Sequence, residues 1–237
     1  MPSARLQEFA GGMRDTVPML VGSAPFGVIF GTLAAAGDLA LWQGQLLSLS
    51  VYAGASQFVA LGLFAGGAGF AVIWATTLIV NLRHVFYAAN LLPRIAPLPA
   101  PWRWLLGFLL TDETFAVMAA YYARHPVAPL GHWYYLGSGV AMYLNWQAWT
   151  FLGLAFGASF PALQSYGLDF AMVATFIAIV VPQLTARPRI VAAVVAAGAA
   201  FLLRGLPYQL GLLLAVACGV LAGLMLLRWN PVAEPGR

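Results

Sequence analysis

Asn81, Arg83 and His84 place an amide, a permanent cation and an imidazole inside the otherwise apolar run from Ala68 to Leu92. Such groups are costly in hydrocarbon, and where they occur they mark binding sites or ion pathways. A guanidinium can grip a carboxylate through two parallel hydrogen bonds, and an unperturbed imidazole changes charge near neutrality. Further on, Thr111-Asp112-Glu113-Thr114 sits near the middle of a second apolar run, Trp102 to Tyr122. Either acid could accept protons or cations, or pair with Arg83. On a helix the two are turned about 100° apart, so they cannot both face one cavity. Gln57 and Asn145 add amides able to meet an ammonium or a carboxylate, and Pro25 with Gly27 could expose backbone groups to a charged ligand. Each has a plainer reading: an Arg83 ion pair that only ties two helices, a hydrogen-bonded bundle histidine at His84, and a packing kink at Pro25.

These groups need elements to hold them. Wound at 100° per residue, the central run gathers Thr76, Thr77, Asn81, Arg83, His84, Tyr87 and Asn90 within an arc of about 180°. Trp74, Leu78, Leu82, Val85 and Phe86 fall on the opposite, apolar arc. One side can therefore meet lipid while the other faces a bundle interior or a water-filled cavity.

Of the 237 residues, 62% are hydrophobic and only 8% charged, with a mean hydropathy of +0.85. Soluble domains are about 25% charged. Apolar stretches recur along nearly the whole chain and lack the alternation of a β-barrel. An all-α polytopic membrane protein is expected, with a polar N-terminal segment at 1–15, one transmembrane helical domain at 16–229 and a short polar tail at 230–237. Eight apolar segments are legible, of which about seven or eight would cross the bilayer. The first, Thr16 to Ala36, carries Pro18, Gly22, Pro25, Gly27 and Gly31, which predicts a broken or re-entrant segment. Leu41 to Phe64 and Trp133 to Phe156 read as single runs, and Pro93 to Arg103 as a loop. Later runs cover Leu168 to Thr185, with Asp169, Pro182 and Gln183, then Ile190 to Leu203 and Tyr208 to Leu227. The spaced pairs Gly27/Gly31, Gly62/Gly66, Gly153/Gly157 and Gly219/Gly223 would let helices approach closely.

Composition also excludes. All eleven basic residues are arginines, so no lysine can form a Schiff base. The single cysteine, Cys218, can form neither an internal disulfide nor a thiolate metal cage, and the three histidines make no His-Glu-x-x-His pattern. Gly66-Gly67-Ala68-Gly69 lacks the Gly-Lys-Ser/Thr ending of a phosphate loop. No cofactor, metal or nucleic acid is expected, and the polar start of the chain does not read as a cleaved signal peptide. Gly54-Ala55-Ser56 and Gly137-Ser138-Gly139 raise a remote alternative, an intramembrane serine hydrolase. Gln57 stands where a rhomboid-type motif needs glycine, and the later membrane segments contain no activating histidine.

Three motifs now stand in order: Tyr52-Ala53-Gly54-Ala55-Ser56-Gln57-Phe58, Arg83-His84-Val85-Phe86-Tyr87 and Leu110-Thr111-Asp112-Glu113-Thr114-Phe115-Ala116. Together they resemble the AzlC family, and the resemblance covers roughly Asp15 to Trp229. These are large subunits of bacterial exporters of branched-chain and other neutral amino acids, paired with a small membrane subunit of the AzlD type. The resemblance implies a multi-pass protein of the bacterial cytoplasmic (inner) membrane, an AzlD-like partner, and a secondary transporter drawing on protons. Arg83, Asn81, Gln57, Asn145, Pro25 and Gly27 would then serve the substrate, and Asp112, Glu113 and His84 the proton. A passive channel or a structural membrane subunit is the alternative.

Overall fold

The computed structural model describes residues 3–37, 39–159, 184–206 and 210–229, together with Ile177 and Val181. Its regular structure there is helical: α1 (Ala4–Ala36), α2 (Leu41–Ser50), α3 (Gly54–Ala65), α4 (Phe70–Asn81), α5 (Arg83–Ile95), α6 (Ala100–Phe108), α7 (Asp112–Arg124), α8 (Gly131–Ser159), α9 (Arg187–Leu202) and α10 (Leu210–Trp229). Most of the expected run Leu168 to Thr185, including Asp169, Pro182 and Gln183, lies outside the described residues. The chain divides into one unit of Met1–Gly62 with Thr77–Met172 and another of Leu63–Thr76 with Val173–Arg237.

The first unit is built on α1 against α8. Contrary to the broken or re-entrant segment read from the sequence, α1 runs unbroken for 33 residues through Pro18 and Pro25. Each proline frees the carbonyl four residues earlier, so a helix survives only where neighbours support it. Helix α8 holds the segment from outside, through packing and bonds to groups beside the freed Arg14 and Val21 carbonyls. Asn145 Nδ2 donates to the Leu20 carbonyl at 3.1 Å and to Ser23 Oγ at 3.1 Å, while Thr32 Oγ1 donates to the Gly153 carbonyl at 3.2 Å. Thr16 Oγ1 lies 2.7 Å from both the Gly12 carbonyl and Ser138 Oγ. Backbones meet this closely because glycine lines both sides. A Cβ at Gly12 would overlap the Tyr134 carbonyl, and one at Gly31 the Thr150 carbonyl. From α8, Cβ atoms at Gly137 and Gly153 would overlap the carbonyls of Phe9 and Val28. The prolines and glycines that suggest a break are therefore, with α8 in place, a packing surface.

Breaks occur elsewhere. Leu41 to Phe64, expected as one run, is α2 and α3 separated by Val51, Tyr52 and Ala53. There the side-chain amide of Gln57 donates to the Val51 carbonyl, which the break deprives of a helical partner. Trp102 to Tyr122 likewise divides into α6 and α7 around Leu109–Thr111. Thr111 caps α7: its hydroxyl accepts from Thr114 N at 3.3 Å, and Thr111 N donates to Thr114 Oγ1 at 2.7 Å. Helix α4 passes into α5 with only a tightened turn. Leu82 keeps helical dihedrals, while Leu82 N and Val85 N each bond three residues back. The expected loop Pro93 to Arg103 shrinks to 96–99, because α5 continues through Pro93 and Pro101 occupies the first turn of α6, where its missing N–H costs nothing.

Among the described residues, Ala4–Ala36 and Phe70–Ile95 are long and apolar enough to cross a membrane. In the second unit α9 and α10 meet over small residues: a Cβ at Gly219 would lie 2.8 Å from Ala196 Cβ, and one at Gly223 would lie 3.2 Å from Ala192 Cβ.

Candidate functional site

Arg83 opens α5 and Asp112 opens α7, and the two join through an Nη1 to Oδ2 contact of 2.9 Å. The α7 start suits an acid, since the unpaired N–H groups of a helix N-terminus carry a partial positive charge. The cost the sequence assigns to paired acids in an apolar run is thus offset twice, by the helix end and by Arg83. Arg83 and Asp112 keep 23% and 37% side-chain exposure, so a ligand can reach the pair. Arg83 Nε and Asp112 Oδ1 are nonetheless buried and lack hydrogen-bond partners. One is a donor and the other an acceptor. Leaving a buried polar atom unpaired costs about 1–3 kcal/mol, so each asks for an explanation.

Three further candidates border the pair. His84 follows Arg83, with Nδ1 3.1 Å from the Asn81 carbonyl, and its ring meets Tyr87 edge-on at 5.8 Å. Tyr87 stacks on Phe115 of α7 at 4.4 Å, closing the wall between α5 and α7. Asn81 ends α4, and its Oδ1 accepts from Ser56 Oγ at 2.6 Å, which ties α3 to the α4–α5 turn. Glu113, the next residue along α7, bonds to the Thr111 side chain and keeps Asp112 and Arg83 within electrostatic range. It lies within electrostatic range of Tyr52 in the α2–α3 break, and no arginine among the described residues forms an ion pair with it.

The remaining candidates stand in the packing. Gln57 is fully buried, with Nε2 on Val51 and Oε1 accepting from Trp146 Nε1 at 3.2 Å. Asn145 lies in the α1–α8 seam, where Oδ1 also accepts from Trp149 Nε1 at 3.0 Å. Gly27 packs on Trp149, and Pro25 sits on the exposed side of an unbroken α1, so neither shapes a broken segment. Neither serine has an imidazole partner: Ser56 donates to Asn81 and Ser138 meets Thr16.

Two features escape the sequence reading. Tyr52, legible in the sequence as part of a motif and of a polar stripe with Ser48 and Ser56 but given no role there, is 8% exposed with an unpartnered hydroxyl. At the far end of α7, Tyr121 donates to Glu8 at 2.9 Å and Tyr134 to Asp15 at 2.6 Å, while the two rings stack at 3.9 Å. The acids in the polar N-terminus and the aromatic start of α8 carried that signal separately, and only folding brings them together.

The sequence model of the AzlC protein family matches residues 18–160, more than half of the chain and including both breaks. The chain belongs to the AzlC family. Relatives include the inner membrane protein YgaZ of Escherichia coli, 28% identical over 97% of this chain and 95% of its own length. An uncharacterized membrane protein of Helicobacter pylori is 31% identical over 75% of this chain and 76% of its own. The branched-chain amino acid transport protein AzlC of Bacillus subtilis is 27% identical over 74% and 67%. No solved structure matches the chain. It is a membrane protein, and its outward apolar residues agree: Trp74, Val85 and Phe86 are 60%, 61% and 75% exposed.

Proposed function

We propose that this AzlC-family chain is the large subunit of a secondary transporter that exports branched-chain or other neutral amino acids across the bacterial cytoplasmic membrane, coupled to protons. The observation that carries the reading is the Arg83–Asp112 pair, which holds a buried unpaired donor and a buried unpaired acceptor side by side. A pair with a free donor on the guanidinium and a free acceptor on the acid suits a small polar ligand whose carboxylate competes for Arg83. Placement at helix starts interrupted within apolar runs is the usual construction of substrate sites in secondary transporters. The Bacillus subtilis relative, named as a branched-chain amino acid transport protein, favours the same substrate class.

In this reading the ion pair closes the empty site. Substrate carboxylate competes for Arg83, and the acid it displaces is the group through which a proton would be exchanged. Seven or eight membrane segments, some of them paired short helices, would enclose the path, and a small AzlD-like membrane subunit would complete it. Counterflow of radiolabelled leucine, valine and methionine in proteoliposomes, with and without that subunit, tests the proposal. Exchange should appear only with both chains; no exchange of any of the three would overturn the substrate class, and full activity of the single chain would remove the partner.

A further inference from the structure

We infer that Tyr52 is a ligand-binding residue whose hydroxyl, together with the Glu113 carboxylate, holds the ammonium group of the transported molecule. The inference rests on the amino acid reading above and assigns the half of the zwitterion that Arg83 does not take.

Tyr52 lies in the α2–α3 break, so its backbone belongs to neither helix. Its ring is fixed by packing, 6.0 Å from Phe108 at the end of α6 and 4.9 Å edge-on from Tyr143 of α8. Phenylalanine would fill this space equally well. The hydroxyl is buried without a hydrogen-bond partner, at 8% residue exposure, so packing does not explain its presence. Buried phenol hydroxyls ordinarily find a partner.

The charged group nearest in effect to the hydroxyl narrows what its missing partner can be. Glu113, beyond the α6–α7 break, is the acid within its electrostatic range, and Tyr135 and Tyr143 are the other titratable groups there. An ionised carboxylate only accepts hydrogen bonds. A group seated between it and the Tyr52 oxygen must therefore donate to both, and a positive charge would compensate Glu113, which no arginine among the described residues pairs. An ammonium has the charge and three donors. Arg83 is also within electrostatic range of Glu113, which keeps the two ends of one small zwitterion in reach of a single site.

The test reads binding without requiring transport: thermal stabilisation of the tagged full chain in native membrane vesicles, wild type against Tyr52→Phe. The probes are leucine, valine and methionine as whole zwitterions, isopentylamine, which carries only the ammonium, and 4-methylpentanoate, which carries only the carboxylate. Tyr52→Phe should raise the apparent Kd for leucine and isopentylamine about tenfold, the value of one charge-assisted hydrogen bond, and leave 4-methylpentanoate unchanged. Without ligand the variant should melt no lower than wild type, because the hydroxyl it lacks bonds to nothing in the protein. Equal isopentylamine affinity in both chains overturns the inference even where leucine binds, which leaves the amino acid reading intact. A lower ligand-free melting temperature overturns it too, by revealing a protein partner. A change confined to sodium dependence would assign the Tyr52–Glu113 site to a metal cation instead. If leucine, valine and methionine all fail to bind, the amino acid reading falls, and isopentylamine alone decides the role of Tyr52.

Discussion

Arg83 and Asp112 touch at 2.9 Å across the first turns of α5 and α7, two helices that each begin inside an apolar run. Removing one partner of a fully buried pair costs about 3–5 kcal/mol, whereas exposed pairs are worth about 0–1 kcal/mol. With 23% and 37% exposure this pair falls between. Arg83→Gln should therefore destabilise by roughly 1–3 kcal/mol, and a double-mutant cycle with Asp112→Asn should recover part of the loss. Arg83→Lys keeps the charge and should restore stability but not transport, because an ammonium cannot offer the planar fork. Equal transport by the lysine variant would show that only charge matters.

The glycine seam between α1 and α8 gives a sharper contrast. Gly12→Ala drives a methyl into the Tyr134 carbonyl, while Gly22→Ala meets nothing within 4 Å. The first should lower the melting temperature in detergent, by a free energy of roughly 1–3 kcal/mol or more. The second should leave it unchanged or raise it, since alanine favours a helix by about 1 kcal/mol over glycine. If both behave alike, the two helices do not approach as described.

The α7 start depends on Thr114, which is fully buried and whose Oγ1 donates to the Leu109 carbonyl at 3.0 Å while accepting from Thr111 N. Thr114→Val preserves shape and removes both bonds. A loss of about 1–2 kcal/mol is expected, together with weakened transport, because the same cap aims Asp112 and Glu113. Chemical denaturation alongside counterflow would show whether the two losses travel together.

Periodicity made the face of the central helix legible. Leu78 and Leu82, on the predicted apolar arc, are 50% and 49% exposed, whereas Thr76 is buried and Asn81, His84 and Tyr87 are partly covered. Asn90, assigned to the polar arc, is exposed, since the arc is covered only as far as α7 reaches. Cysteines at Leu78 and Leu82 should resist a water-soluble maleimide while those at Asn81 and His84 react; equal labelling would place the arc wrongly.

Breaks were less legible, because proline and glycine report local freedom and a break depends on what lies opposite. Pro18 and Pro25 stay helical under the support of Asn145 and the glycine seam, a partnership more than a hundred residues apart in sequence. The two real interruptions contain no proline at all. They form where Gln57 and Thr114 offer side-chain bonds that replace helical ones. The charged residues themselves were legible because their cost in hydrocarbon does not depend on tertiary structure. Tyr52 was not, since an unpaired hydroxyl becomes visible only once its surroundings are known.

If substrate carboxylate and proton compete within the Arg83–Asp112–Glu113 group, binding substrate must change the protonation of at least one acid. Asp112→Asn and Glu113→Gln each keep size and hydrogen-bonding capacity while removing the titration. Tested separately in vesicles under an imposed pH gradient, both variants should fold, and at least one should lose pH-driven export while retaining counterflow, which needs binding and reorientation but no net proton movement. Centrally placed membrane charges cost roughly 2.5–3.5 kcal/mol each on insertion scales, so Glu113→Gln should insert at least as well as wild type, whereas Asp112→Asn leaves Arg83 unpaired and should show the same modest destabilisation as Arg83→Gln. That separates a coupling defect from a folding defect. Normal pH-driven export by both variants would falsify the coupling and leave a passive carrier built on the same ion pair.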